Sequence, residues 1–304
     1  MNKPIESPLV PGGKVKHIRD ISVSKIVDAY KTYKIDISSI FKAYKSISIY
    51  ECINSCYRFY YPFDISGDSK FYEHFQNFDW YYMSWKWEHE VTLEYLKDNL
   101  SLLEVGCAHG AFLKKINELY DLKDSVGLEL NETTPSNSLK WRIVNSFVQD
   151  YKNNNQEKFD IVCSYQVLEH ISDVHSFIEA QVTCLKKGGK LIISVPNNES
   201  HIKDSDFALN LPPHHMGLWD TKSLQSLESI FPVKVVKFHY EELQEYHIGG
   251  YIQAHYYSKH NKISSKIIRL WDRMTGKLSK LENKIRSERH NIIGHTILAV
   301  FEKI

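Results

Sequence analysis

The chain has 304 residues, of which 42% are hydrophobic and 25% charged, with a formal net charge of +1. That is enough apolar chain to bury a full core, which excludes a disordered or fibrous protein. The near-neutral balance excludes a whole-surface nucleic-acid footprint, since neutralising phosphates needs an excess of Lys and Arg.

No run approaches the ~20 apolar residues that span a bilayer. The start Met1-Asn-Lys-Pro-Ile-Glu-Ser-Pro8 has no apolar leader segment, so a cytoplasmic protein is expected. The five cysteines, Cys52, Cys56, Cys107, Cys163 and Cys184, are odd in number and scattered. Such a set is poor material for a disulfide framework, and Cys52 with Cys56 is short of ligands for a closed zinc site.

In chain order, Pro4, Pro8, Pro11, Gly12 and Gly13 predict an extended arm over residues 1 to about 25. Residues 26–98 are dense in aromatics, and a helix is expected from near Trp85 to Leu96. From 101 onward strand and helix patterns alternate. Strands are expected at 102–105, 125–130, 143–144, 159–164 and 190–195, with helices at 112–119 and 174–185 between them. Strands joined by crossover helices make a parallel sheet covered on both faces, a doubly wound α/β domain.

After Pro212 a helix at 221–230, a strand at 233–240 and a last strand at 292–302 follow. The helical insertion before the last strand, residues 243–290, repeats apolar residues at steps of three and four from Ile263 to Ile285 and is broken near Gly276. Residues 259–290 hold ten Lys or Arg against three Asp or Glu, about seven net positive charges. The division is therefore an N-terminal arm and aromatic helical lid over 1–97 and an α/β domain over 98–304.

The segment Leu102-Leu-Glu-Val-Gly-Cys-Ala-His-Gly110 ends the first α/β strand in a turn of small residues, as close backbone approach to a ligand requires. A dinucleotide site would space its glycines as G-x-G-x-x-G. Here Gly106, Ala108 and Gly110 fall at every second position after Glu104, which disfavours pyrophosphate. About twenty residues on, Glu129 and Leu130 end the second strand with a carboxylate suited to ribose hydroxyls. Phe159 to His170 closes the fourth strand and Leu185 to Pro196 supplies the fifth.

With these elements in this order, the chain resembles the class I S-adenosylmethionine (SAM) dependent methyltransferases, specifically the type 11/12/23 group. The resemblance implies a seven-stranded Rossmann-like sheet with its last strand antiparallel, and SAM as cofactor with S-adenosylhomocysteine as product. It places Glu104, Gly106, Cys107, Ala108 and Gly110 beside the methionine and ribose, Glu129 and Leu130 at the ribose diol, Ser146 and Phe147 near the adenine, and Tyr165 and Gln166 near the methionine end. Asn145-Ser146 stands where the group often has Gly-Asp, a departure in the adenine region.

Methyl transfer to a hydroxyl needs a proton acceptor on a loop at the carboxyl end of the sheet. Two places offer one: Glu169-His170 after the fourth strand, and His214-His215 in Pro212-Pro213-His214-His215-Met216-Gly217-Leu218-Trp219. The latter segment resembles methyltransferases of bacterial surface-polysaccharide clusters and implies a sugar, nucleotide-sugar or glycan acceptor. Tyr81, Tyr82, Trp85 and Trp87 read either as a sugar-binding platform or as the core of a helical subdomain.

No metal is assigned; Glu169 with His170 makes only part of a ligand set. The basic insertion reads as a solvated or dimerisation face, or as a contact with an anionic acceptor or the inner membrane leaflet. C- or N-methylation of a nucleotide sugar, O-methylation of a quinone-like ring and a non-catalytic SAM-binding regulator are the alternatives.

Overall fold

The computed structural model describes residues 4–76, 78, 81, 83–131, 138, 140–203, 207–257 and 262–304. The N-terminal region runs β1 (Val15–Ser22), α1 (Val23–Tyr30), β2 (Ser46–Cys52), β3 (Arg58–Tyr61), α2 (Ser69–Gln76) and α3 (Trp87–Thr92). The α/β part continues with β4 (Ser101–Val105), α4 (Ala111–Leu119), β5 (Asp124–Leu128), β6 (Arg142–Val144), α5 (Val148–Tyr151), β7 (Phe159–Tyr165), α6 (Val174–Cys184) and β8 (Leu185–Pro196). Then come β9 (Gly217–Leu218), α7 (Thr221–Gln225), β10 (Val233–Glu242), α8 (Ile248–Ile252), α9 (Lys262–Met274), α10 (Lys277–Glu288) and β11 (Ile293–Lys303).

A seven-stranded sheet in the order β6-β5-β4-β7-β8-β11-β10 forms the body. Its strands from β6 to β8 are parallel, and β11 runs antiparallel to both β8 and β10. Every residue of β4 is buried, as a central strand covered by helices on both faces demands. Helix starts follow local chemistry: Asp173 accepts from Ser176 N ahead of α6, and Asp220 accepts from Ser223 N ahead of α7. Gly276, at φ +72°, separates α9 from α10 where the break is expected. The expected Gly188-Gly189 turn falls within β8, where Gly188 has φ +75° and the pairing to β7 shifts register.

The N-terminal region is not the all-helical lid expected, nor is its first stretch an arm throughout. β1, β2, β3 and β9 make a second, antiparallel sheet, β1-β2-β3-β9, and α1 follows directly on β1. β1 carries no apolar alternation, because it is an edge strand with a single buried residue. In β2 the buried Ile47 and Ile49 do alternate, a short signal lost among the flanking aromatics. The fourth strand, β9, comes from more than 150 residues later, with Phe59 opposite Gly217 and Arg58 opposite Leu218. A core of Tyr30, Phe41, Phe59, Tyr60, Phe71 and Phe75 fills this region.

Candidate active site

The turn after β4 works through its backbone. Gly106, Ala108 and Gly110 all have positive φ, +79°, +47° and +71°. A Cβ on Gly106 would lie 2.5 Å from Val167 Cγ2, and one on Gly110 would lie 2.6 Å from Trp141 Cζ3. Gly106 N and Cys107 N donate to Leu128 O at 2.8 and 3.1 Å, tying the turn to the end of β5.

There Glu129 accepts from Ala108 N at 2.9 Å through Oε2, and from Leu130 N and Asn131 N at 2.8 and 3.0 Å through Oε1. About four lone-pair sites exist on a carboxylate. A diol held in bidentate fashion therefore has to take over from one of the backbone donors.

Glu104 is buried, its Oε2 lacks a partner among the described residues, and burial, with the charge of Glu129 adding, pushes its carboxyl up to about 8. Leu130 and Phe147 stand 50% and 57% exposed on the edges of the same turn region, and Asn145 Nδ2 bridges Glu129 O and Leu130 O. An orphaned acid, a diol-ready carboxylate and exposed apolar side chains fit the amino, ribose and adenine groups of an aminoacyl nucleoside. Ser146 Oγ donates to the carbonyl of Phe147.

Other residues of the set serve by packing. Cys107 is buried with its thiol pushed far up, and its Sγ occupies the space a Cβ on Gly127 would need. Tyr165 is turned under α3, its hydroxyl donating to Thr92 Oγ1 at 2.9 Å. Gln166 takes φ +55° and reaches Glu88 with its amide.

The second half of the site is made of side chains. Glu169, His170, His214 and His215 converge although they come from two loops. The ring centroids of His170 lie 4.7 and 5.0 Å from those of His214 and His215, which themselves stack at 4.6 Å. Glu169 is 1% exposed, and its Oε2 has no partner among the described residues. Burial lifts its carboxyl to about 8, lowers His170 to about 4, and takes His214 and His215 well below the usual imidazole range.

The N-terminal region clamps the histidine loop. Tyr30 and Tyr60 donate to Leu211 O and Asn210 O, and Tyr72 to His214 O, at 2.8, 2.9 and 3.2 Å. Gly67 N donates to Pro213 O, and Tyr60 N to Met216 O.

Of the aromatic set, Tyr81 reaches the cluster, its hydroxyl 2.8 Å from His214 Nε2. Trp85 and Trp87 do not: Trp85 packs against His89 and Phe112, and both belong to the core around α4. Tyr82 lies outside the described residues.

Two features escaped the sequence reading. The Lys86 ammonium partly offsets the rise that burial gives the Glu104 and Glu169 carboxyls, and its charge is also felt at His170 and His295. Its signal was the Lys86-Trp-Glu-His89 run. A second group, His201, His247 and His295, gathers with ring centroids 4.9 to 6.4 Å apart. Scattered single histidines give no such signal before folding.

Residues 80–232, half of the chain, match a family model described as a methyltransferase domain. The chain belongs to the class I SAM-dependent methyltransferases. This methyltransferase is 30% identical over 107 residues to a ubiquinone biosynthesis O-methyltransferase of Bartonella tribocorum, and 26% identical over 147 residues to a mitochondrial one of Dictyostelium discoideum. It spans only 42% and 45% of those relatives, which cover 33% and 40% of it.

A phosphoethanolamine N-methyltransferase 2 of Haemonchus contortus shares its fold with TM-score 0.51 and 12% identity, over 95% of this chain and 77% of the other. SAM is the cofactor, and the residues that would hold it are those of the turn from Glu104 to Gly110 together with Glu129. No helix among the described residues of the methyltransferase is long and apolar enough to cross a membrane.

Proposed function

We propose that the methyltransferase places a methyl group on a hydroxyl oxygen of a sugar, nucleotide sugar or glycan held against Glu169 and the three histidines. The observation that carries this reading is the convergence of His170, His214 and His215 on a buried carboxylate next to the cofactor turn. Val167, two residues before Glu169, lies directly against Gly106.

SAM, when bound, supplies an activated methyl group. The chain must align the hydroxyl with it and take the hydroxyl proton. The hydrogen bonds suit that task. His170, His214 and His215 each turn Nδ1 to an oxygen acceptor, which leaves Nε2 as the basic nitrogen. Tyr72 and Tyr81 bring hydroxyls and Asn210 an amide oxygen to the cluster, a polar lining that suits a polyol better than an apolar ring.

The curated relatives favour a second reading, O-methylation of a quinone-like ring. A screen with labelled SAM separates the two. Transfer to oxygen of nucleotide sugars or extracted glycans, lost in His214→Ala and His215→Ala, is expected; transfer only to dihydroxylated rings, or to nitrogen or carbon, would sink the sugar reading.

A further inference from the structure

We propose that Glu169, His170 and His215 form a binding site for one divalent transition-metal ion of the zinc, iron(II) or manganese type. The inference rests on the hydroxyl-methylation reading only for what the ion does, not for its presence. Glu169 Oε1 lies 3.8 Å from His170 Nε2 and 4.0 Å from His215 Nε2. Those gaps are too long for hydrogen bonds. Two ligands about 2.1 Å from one ion lie roughly 3 to 3.5 Å apart at tetrahedral or octahedral angles, so closing by about half an ångström per pair makes the set. The three imidazoles offer ligand nitrogens within 4.8 Å of one another.

The surroundings are arranged as for a metal. A ligating imidazole needs its other nitrogen tied to an oxygen so that the tautomer and ring angle are held. His170 Nδ1 lies 2.6 Å from His214 O, and His215 Nδ1 lies 3.2 Å from Asn210 Oδ1. Asn210 is itself oriented by donating to Asn198 Oδ1 at 2.9 Å. Its amide oxygen is thereby presented to His215 as an acceptor. His170 Nε2 and His215 Nε2 then lie 3.8 and 4.0 Å from a buried carboxyl whose second oxygen has no partner among the described residues. Lone pairs and an acid converging in a buried space are mutually unfavourable until a cation joins them.

Two imidazoles and one carboxylate leave coordination positions open. The acceptor hydroxyl fills one and is made more acidic by the ion. Its proton passes to His214 Nε2, which the Tyr81 hydroxyl vacates, as the O–CH3 bond forms and the S–CH3 bond of SAM breaks.

The test is metal binding itself, with Zn2+ and Co2+ as probes. Full-length protein, stripped by a chelator, is titrated calorimetrically with Zn2+ and loaded with Co2+ for its visible absorption spectrum. One ion per chain is expected, with affinity reduced at least a hundredfold in Glu169→Gln and in His215→Ala. Unchanged SAM affinity in the same variants shows that the fold is intact. If the wild-type chain takes up no ion, or the variants take it up as well as wild type, the site is refuted. Ion binding without transfer to any hydroxyl keeps the site and removes the functional reading. Full turnover in metal-free protein removes the ion's part in the transfer and leaves the site to the binding measurement.

A separate observation concerns α9. Ile267, Leu270, Trp271 and Met274, spaced to share one helix face, are 63%, 59%, 59% and 70% exposed. Exposed Lys266, Arg269 and Arg273 flank them, and Lys277, Lys280, Lys284 and Arg286 are exposed on α10. We infer that this face rests on an anionic bilayer surface. An apolar stripe with Trp beside cations suits the headgroup boundary, whereas pairing two copies of so basic a hairpin brings like charges together.

Co-sedimentation with phosphatidylglycerol-containing vesicles, but not pure phosphatidylcholine ones, is expected. It should weaken with salt and fall at least tenfold in Leu270→Ser/Trp271→Ser and in Lys266→Glu/Arg273→Glu, both with normal SAM affinity. Equal sedimentation of the variants, no sedimentation at all, or self-association lost in the variants would overturn it.

Discussion

At the cofactor turn the working parts are peptide groups, set by three alternate left-handed positions at Gly106, Ala108 and Gly110 and by backbone donors to one carboxylate. At the histidine cluster the backbone is only a frame, and the groups that converge are side chains brought from the segment after β7, from the loop before β9 and from α2 and the segment after it. The first kind of site is local, so residues 102–110 contain most of its specification. The second is assembled by tertiary contacts and depends on groups far apart in sequence.

This contrast is sharpest in what a substitution should do. His215→Ala removes a side chain only, so kcat should fall by about a hundredfold or more while the SAM dissociation constant stays within about twofold of wild type. Loss of SAM affinity in that variant would mean that the halves are not separable.

Gly106→Ala attacks the other half. The added Cβ meets Val167 in a left-handed conformation, at a cost of about 2 kcal/mol, or roughly thirtyfold in SAM affinity by calorimetry. An affinity within threefold of wild type would show that the turn relaxes freely.

Asn210→Ala touches neither ligand group but frees the Nδ1 of His215. A roughly tenfold fall in turnover is expected. Asn210→Asp, which keeps the acceptor oxygen, should recover part of it. A fall that the Asp variant does not relieve at all would make Asn210 a packing residue.

The smallest effect concerns stability. Burial raises the Glu104 carboxyl to about 8 in the folded chain, above its value of ~4.5 when unfolded. The folded state then holds the extra proton between those values, so stability declines as pH rises from about 4.5 to 8. Denaturation midpoints of the SAM-free protein should show a shallower decline in Glu104→Gln. Parallel profiles would assign the slope to other groups, of which Glu169, raised to about 8, is the first to try, followed by Glu241, raised to about 7.

The α/β body was legible because its signals are periodic and short in range. The strands fall within a few residues of their expected places, and Gly276 divides the insertion as its left-handed φ requires. Glu129 was legible by spacing. The meander was not, since β1 buries one residue and β9 is two residues long.

Glu169, His170, His214 and His215 were each visible as candidates. Their meeting depends on two tyrosines and a strand pairing that no local pattern encodes. Trp85 and Trp87 left two readings open for a related reason: an aromatic cluster looks alike whether it faces a ligand or a core, and here both pack against the core around α4.

The pairing of β9 with β3 gives the first sixty residues a duty at long range. They act as a splint for a loop that the chain reaches only after the parallel strands are complete. A loop splinted in this way is tied to a region that is not a detachable cap. Loss of that pairing would release the loop as well as the strand.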